Sequence, residues 1–434
     1  MYILVILKSN LNNLLPDNFE LSKEFKDISE QIEHSDDNFY ITGKAGSGKS
    51  TLLSYFRTIT QKKVAVLAPT GVAAIRIKGQ TIHSFFRFPP KVMQTKHIRK
   101  VWDQDILLNL DVLIIDEISM VRADIFDAID YSLRVHRKKL TKPFGGVQLV
   151  VFGDLFQLPP VVNFDESDIL RRLYPNGSFF FHSNIFQDSH FHKIELQYIY
   201  RQKDEYFIQL LNGIRDGSIT NSELNDLNQS VSHKVNMQEG KIILTTTNAQ
   251  ANKFNQDYLS QVPGEELNFR AQAQGNFGKE IFPTDELLRL KQGAQVLMIK
   301  NDPEKRWVNG SIGKIHSIAE KKIKVFIDGK IYEVRKEKWE RIQYQYDDSK
   351  EEISEKVVGS FKQYPMKLAW AITIHKSQGQ TFDQVIIDMS RGAFAAGQLY
   401  VAMSRCKTLD GVELVRPILK SDIMVNQDIV SFQN

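Results

Sequence analysis

Short runs of consecutive apolar residues carry the clearest structural signal in this chain. Val64-Ala65-Val66-Leu67, Val112-Leu113-Ile114-Ile115 and Leu149-Val150-Val151-Phe152 are each a strand long, and Asn38 to Thr42 is a further extended run. Strands that are apolar throughout suit a parallel sheet covered on both faces. After Asn38 to Thr42 comes GKAGSGKST, and then Leu52, Leu53 and Phe56 recur at helical spacing. The pattern predicts strand, glycine loop, helix within an α/β domain. Beyond about residue 190, Ile242-Ile243-Leu244-Thr245, Val385-Ile386-Ile387-Asp388 and Val412-Glu413-Leu414-Val415 predict a second sheet. Residues 1–190 and 191–434 are therefore read as two α/β domains.

Between GAQVLMI (Gly293 to Ile299) and FKQYPMKLAW the texture changes, and charge becomes dense. Lys324-Val325-Phe326-Ile327, Asp328-Gly329 and Ile331-Tyr332-Glu333-Val334 predict a hairpin closed by a type I′ turn. Residues of about 302–362 read as a small β-rich, barrel-like insertion in the second domain, whose plain role is packing.

Composition narrows the class only slightly. A chain of 434 residues, 42% hydrophobic and 25% charged, has room for two principal domains with insertions and is neither disordered nor fibrous in character. A formal charge of +4 permits a nucleic-acid partner without arguing for one. The single cysteine, Cys406, excludes a disulfide framework and any CxxC zinc pair, fits a reducing compartment, and reads as a semi-buried small residue. The opening MYILVILK is about half as long as a membrane span and lacks a basic leader, so neither export nor a membrane partner is expected. No fixed-period repeat or low-complexity tract is present.

Candidate chemistry begins at the glycine loop. Gly43, Gly48, Lys49 and Ser50 fill GxxxxGK[ST], a pattern whose backbone N–H groups converge on phosphate oxygens at a helix N-terminus. Ala45, Gly46, Ser47 and Thr51 complete the expected ATP-binding stretch. Lys49 is placed to reach the β and γ phosphates, and Ser50 to offer its hydroxyl to Mg²⁺; the plain alternative is a flexible turn before a helix. Asp116 and Glu117 follow the apolar run 112–115. Asp116 is expected to hold Mg²⁺, and Glu117 to orient or deprotonate the attacking water. In GDLFQLPPV, Gln157 could sense the γ-phosphate beside Asp154, or be an ordinary loop amide. No second glycine loop accompanies the second sheet, so that domain is expected to supply positive charge in trans, with Arg201 and Arg405 as candidates. Spacing alone leaves each readable as a surface arginine.

Together these blocks resemble the Pif (petite integration frequency) helicases, a superfamily-one group related to the RecD-like and Dda-like motors. The matching strings run in order through nearly the whole chain: GKAGSGKST, APTGVAA, GQTIHSFF, LIIDEISM, GDLFQLPPV, Tyr200-Arg201-Gln202, LTTTNAQANKFN, LKQGAQVLMIKN, WVNGSIG, LAWAITIHKSQGQTFD and GQLYVAMSRCKTLDGV. The first 35 residues or so, the stretch after His83, residues 162–195 and the insertion lack clear matches, while Glu117 to His136 looks like the element that separates this group from RecD-like motors. The resemblance implies two RecA-like P-loop domains, the first with a small wedge insertion at about 86–104. It implies an ATP site of Gly48, Lys49, Ser50, Asp116, Glu117, Gln157, Arg201 and Arg405, with ATP and Mg²⁺ as cofactors. Pro69, Thr70, Gly71, Thr81, His83, Ser84, His375, Lys376 and Ser377 are implied to grip single-stranded DNA, mostly through phosphates and so independently of sequence. For His83 and His375 the alternative is a satisfied structural histidine.

The resemblance further implies 5′ to 3′ travel, unwinding of forked duplexes at single/double-strand junctions and of G-quadruplex DNA, and work in repair, recombination or replication. A monomer is the default. Placement is expected to be cytoplasmic and nucleoid-associated for a bacterial chain, or nuclear for a eukaryotic one. Phe86, Phe88, Pro89 and Pro90 form a stiff apolar stretch that could stack against the first base pair as a wedge, or simply cap an apolar surface. One departure concerns adenine: the group carries a glutamine near its N-terminus that reads the base, and here Leu21-Ser22-Lys23-Glu24-Phe25 puts Phe25 in that place. Gln31 or backbone groups remain alternatives for reading the base. Two other classes stay open at this point: a nucleotide-gated clamp that hydrolyses ATP without unwinding, and a small-molecule P-loop phosphotransferase.

Overall fold

A computed structural model describes residue 15 and residues 19–98, 105–232, 240–319, 322–347 and 352–433. MYILVILK and the far end of the wedge insertion, residues 99–104, lie outside the described residues. The chain divides into two compact units: residues 1–155, 159–200 and 341–358 form the first, and residues 156–158, 201–340 and 359–434 the second.

In the first unit, β1 (Asn38–Gly43), β2 (Val64–Ala68), β3 (Gln80–Thr81), β4 (Val112–Ile115), β5 (Gln148–Phe152) and β6 (Phe191–Leu196) form one sheet in the order β3-β2-β4-β5-β1-β6. Every pairing is parallel, as the apolar runs predict. Alternation along β1 explains how both faces are covered. Phe39 and Ile41 join a core with Phe25, Ile28 and Ile32 of the helix Lys23–His34 and Leu52, Leu53 and Phe56 of the helix Lys49–Ile59. Tyr40 meets Phe180 on the other face, with ring centroids 5.7 Å apart, and Phe180 leads into Phe126 of the helix Ala123–His136 at 5.5 Å. Since β6 pairs with β1 from Asn38↔Phe191 to Gly43↔Leu196, the first unit runs to Tyr200, ten residues past the boundary expected at 190.

The second unit contains β7 (Ile242–Thr245), β8 (Leu267–Arg270), β9 (Gln272–Gly275), β10 (Leu287–Leu290), β11 (Gln295–Met298), β12 (Ile312–Ala319), β13 (Lys322–Ile327), β14 (Lys330–Val334), β17 (Met366–Leu368), β18 (Ala371–Thr373), β19 (Val385–Asp388) and β20 (Val412–Leu414), together with the outer parts of β15 (Glu337–Asp347) and β16 (Glu352–Gln363). Its parallel sheet has the order β18-β7-β19-β20. The β-rich insertion is an open antiparallel sheet, β14-β13-β12-β11-β17, so the described strands do not close into the barrel expected from sequence. Its hairpin turns at Asp328 (φ 49°) and Gly329 (φ 79°), both left-handed as a type I′ turn requires. A separate core of Val296, Met298, Ile315, Val325, Ile327 and Trp370 fills it.

The insertion also does more than pack on itself. Residues 341–358 of β15 and β16 belong to the first unit, where the Val66 N–H donates to Tyr344 Oη at 3.3 Å, Arg341 donates to Ser84 Oγ at 3.1 Å and Arg57 lies 3.3 Å from Glu355. Among the described residues no helix is long and apolar enough to cross a membrane.

Candidate active site

The glycine loop leaves the C-terminal end of β1, the sheet end at which α/β folds bind ligands. Gly48 caps the helix Lys49–Ile59 with φ 85°, a left-handed conformation that turns the loop sharply into the helix. A Cβ at Gly48 would sit 2.9 Å from the Phe25 ring, so glycine is also demanded by space. The Lys49 ammonium donates to Gly43 O at 2.6 Å and Lys44 O at 3.1 Å, which holds its charge over the middle of the loop. Ser47 is buried and shapes the loop, whereas Ser50 is exposed in the first helical turn.

Two strands away, β4 is fully buried and delivers Asp116 and Glu117. The Asp116 N–H donates to Leu67 O on β2 at 2.9 Å, and Asp116 Oδ1 accepts from the Glu117 N–H at 3.0 Å. Glu117 itself has φ 54°, a strained backbone for a side-chain-bearing residue and one typical of functional turns. Burial and the charge of Glu117 push the Asp116 carboxyl up to about 6, against the opposing pull of Arg76 and Lys49. Arg76, which sequence reasoning did not single out, lies 2.9 Å from Glu117 Oε1 and 3.5 Å from Asp116 Oδ2. Asp116 Oδ2 is buried with no hydrogen-bond partner. With the Ser50 hydroxyl it offers the hard oxygen donors that suit Mg²⁺, so the residues fit that ion. No group of three or more His, Cys, Asp or Glu that could hold a metal ion occurs among the described residues.

The second unit brings its two arginine blocks together across about 200 residues of sequence. Arg201 donates to Ser404 O at 3.1 Å, and the buried Gln202 donates to Ser404 O at 3.2 Å and Cys406 O at 2.8 Å. Arg405 is not a surface arginine: it is 1% exposed, with Nε donating to Val401 O at 2.9 Å and the guanidinium reaching Gln380 O at 3.4 Å. Cys406 is fully buried rather than partly so, and burial raises its thiol pKa. Gln157 departs from the sheet that precedes it and belongs to this unit, where a Cβ on Gly397 would come within 2.4 Å of Gln157 O. Neighbouring Phe156 lies under the Arg215 guanidinium at 4.1 Å.

Similarity to known proteins settles the lineage of this arrangement. A family model described as PIF1-like helicase matches residues 19–225, and one described as UvrD-like helicase C-terminal domain matches residues 368–409. The ATP-dependent DNA helicase Pif1 of Bdellovibrio bacteriovorus is 32% identical over 397 residues, which cover 88% of this chain and 84% of that protein. The chain belongs to the PIF1-like helicase family. The Danio rerio PIF1 helicase is 33% identical over 96% of this chain, and the match spans 64% of that longer protein. A crystal structure of Bacteroides sp Pif1 in complex with ADP-AlF4 superposes with a TM-score of 0.88 at 39% identity, covering 96% of this chain and 97% of that one. The Bacteroides Pif1 structure bound to ssDNA matches with a TM-score of 0.70 over the same shares. The family's two RecA-like domains are thus the two parallel sheets described above.

Seen as a PIF1-like chain, the first unit gathers several of its expected strand-binding residues at one sheet edge. Parallel pairing of β2 and β3 aligns Ala68 with Thr81, so Pro69, Thr70, Gly71 and Thr81 leave neighbouring strand ends. Thr70 and Thr81 both cap short helices, accepting from the Ala73 and Ser84 N–H groups. Ser84 is tied down by Gln80 and Arg341. In the second unit, His375, Lys376 and Ser377 form one turn after β18; His375 stacks on exposed Phe394 at 6.1 Å and Lys376 is exposed. Ser377 is fully buried and donates its hydroxyl to Ile374 O, so its side chain shapes the turn instead of facing outward. Burial lowers the pKa of both His83 and His375, with Arg122 adding to the effect at His83.

The proposed wedge requires correction. Phe86 and Phe88 stack on each other, 5.2 Å apart, and both are buried; Pro89 is half-buried and Pro90 exposed. An apolar local run cannot distinguish a projecting tip from a core segment, and here the rings form core. At the adenine end, Phe25 is also buried and packs on Tyr200 at 6.1 Å, while the Tyr200 N–H donates to Gly46 O at 2.9 Å. Phe25 thus serves as an aromatic prop under the glycine loop.

Proposed function

We propose that this chain is an ATP-dependent DNA helicase that moves on single-stranded DNA from 5′ to 3′ and separates forked duplexes and G-quadruplexes it meets. The observation that carries the reading is the grouping, in one unit, of a lysine-bearing glycine loop, the buried Asp116 with Glu117 beside it, and Thr70 and Thr81 at the same end of one parallel sheet. Phosphates of ATP lie along the loop N–H groups and Lys49, and Glu117 orients the attacking water. Mg²⁺, held by Asp116 and Ser50, would neutralise charge on the β and γ phosphates. Within the second unit, Arg201 donates to the carbonyl of Ser404, the residue before Arg405, which groups the two arginines that the family resemblance assigns to ATP, and Gln157 lies against Gly397. Thr70 and the His375 turn grip the strand in alternation, so that each hydrolysis cycle advances one grip relative to the other. Base-pair stacking opposes each step by about 1.4 kcal/mol. The relatives support this reading through their names and through the Bacteroides Pif1 structure with ssDNA.

Lys49→Ala tests the ATP half directly. Hydrolysis stimulated by single strands should fall to background, while binding of a labelled oligonucleotide stays within about twofold of the parent. Hydrolysis near the parent rate would remove Lys49 from the site.

A further inference from the structure

The helix Gly71–Arg76 connects two places that the helicase reading assigns to different tasks. Its N-terminal cap is Thr70, whose hydroxyl accepts from the Ala73 N–H at 3.3 Å and whose carbonyl accepts from the Ala74 N–H at 2.9 Å. Its last residue, Arg76, turns back to the end of β4, against Glu117 and Asp116. The connection is short because β2 and β4 pair in parallel with Leu67 opposite Ile115. The pair is incompletely satisfied: Arg76 Nε is buried without a hydrogen-bond partner, and so is Asp116 Oδ2. A buried polar pair left incompletely satisfied is easily exchanged for a better-satisfied arrangement.

A guanidinium here and a divalent cation on Asp116 exclude one another. Carboxylate lone pairs directed at Arg76 are not offered to the cation, and two positive charges a few ångströms apart in a buried site repel strongly. We propose that Arg76 is a positioning residue that couples strand binding to hydrolysis, competing with the divalent cation for Asp116 and Glu117 until a strand engages the Thr70 end of its helix. Withdrawal of Arg76 then frees both acids, one to hold the cation and the other to orient water. The proposal rests on the helicase reading, which places the strand at Thr70 and the cation at Asp116.

The test uses the whole chain, with Mn²⁺ and ADP as the probe and free Mn²⁺ followed by electron paramagnetic resonance, so that no hydrolysis is needed. Arg76→Gln keeps donors without the charge, and Arg76→Lys keeps the charge. Without DNA, Arg76→Gln should bind Mn²⁺ at least about 5-fold more tightly than the parent, while Arg76→Lys stays near the parent. Added oligo-dT should tighten Mn²⁺ binding in the parent and have little effect in Arg76→Gln. Reciprocally, Mn²⁺ with ADP should tighten oligo-dT binding to the parent by the same factor. Equal or weaker Mn²⁺ binding by Arg76→Gln, or equal oligonucleotide effects in both, would show a merely structural ion pair and overturn the proposal. If Arg76→Gln does not fold, the parent decides alone: Mn²⁺ affinity that ignores oligo-dT overturns it. Failure of the helicase reading would look different, as a parent that neither binds oligo-dT nor hydrolyses ATP.

Discussion

Asp116 is almost wholly buried, and its carboxyl is raised to about 6 by that burial and by the charge of Glu117. Between about pH 4 and 6 the folded chain therefore holds this proton more tightly than the unfolded chain does. The charge costs nothing near pH 4, and its full cost is present above pH 6. Asp116→Asn is accordingly expected to raise the Tm of the nucleotide-free protein by ~2–4 °C at pH 7.5, to leave it unchanged near pH 4, and to abolish hydrolysis. Thermal scans at both pH values check this, and a lowered Tm at pH 7.5 would contradict it. The places of Lys49, Asp116 and Glu117, at a helix start and after a buried strand, were legible in the sequence because each sits in a run of neighbours that imposes its geometry. Arg76 was not, because its role comes from meeting Glu117, 41 residues away, across two strand ends. Arg405 was expected in the ATP site from the resemblance but not as a buried residue, since part of what surrounds its guanidinium, the Gln380 carbonyl, lies in a turn 25 residues earlier.

At the scale of elements, the apolar runs gave β1, β2, β4, β5, β7, β19 and β20 to within a residue or two, because a strand buried on both faces leaves little freedom of composition, but not β3, β6 and β18. The FFRFPP stretch shows where that logic stops. Its residues are as suitable for a tip as for a core, and only the stacking of Phe86 on Phe88 decides for core. Phe88→Ala should thus lower stability by about 3–5 kcal/mol, as loss of a buried ring does, and should slow unwinding and single-strand translocation alike in whatever fraction folds. Denaturant unfolding checks the first part; an unchanged midpoint with a selective loss of unwinding would restore the wedge. The insertion was likewise legible as β-rich, and its type I′ turn was read correctly. What local pattern could not convey is that β15 and β16 extend into the first unit and meet Val66, Ser84 and Arg57 there.

For the whole molecule, the chain divides into two units, and the glycine loop that ends in Lys49 belongs to the first. The units are not contiguous in sequence, since residues 156–158 and 341–358 each pack with the unit opposite to their flanks. A domain boundary read from composition near residue 190 could not show such exchanges, which depend on where β6 and the β15 and β16 strands find partners. The exchanged pieces include Gln157, the residue expected to sense the γ-phosphate. The central claim is that this machinery is a motor with single-stranded DNA as its track. Its most direct test is strand separation of a tailed duplex carrying either a 5′ or a 3′ overhang, with and without ATP. A motor of this kind should separate the 5′-tailed duplex only when ATP is present; separation that ignores ATP, or that requires a 3′ tail, would contradict the proposed function.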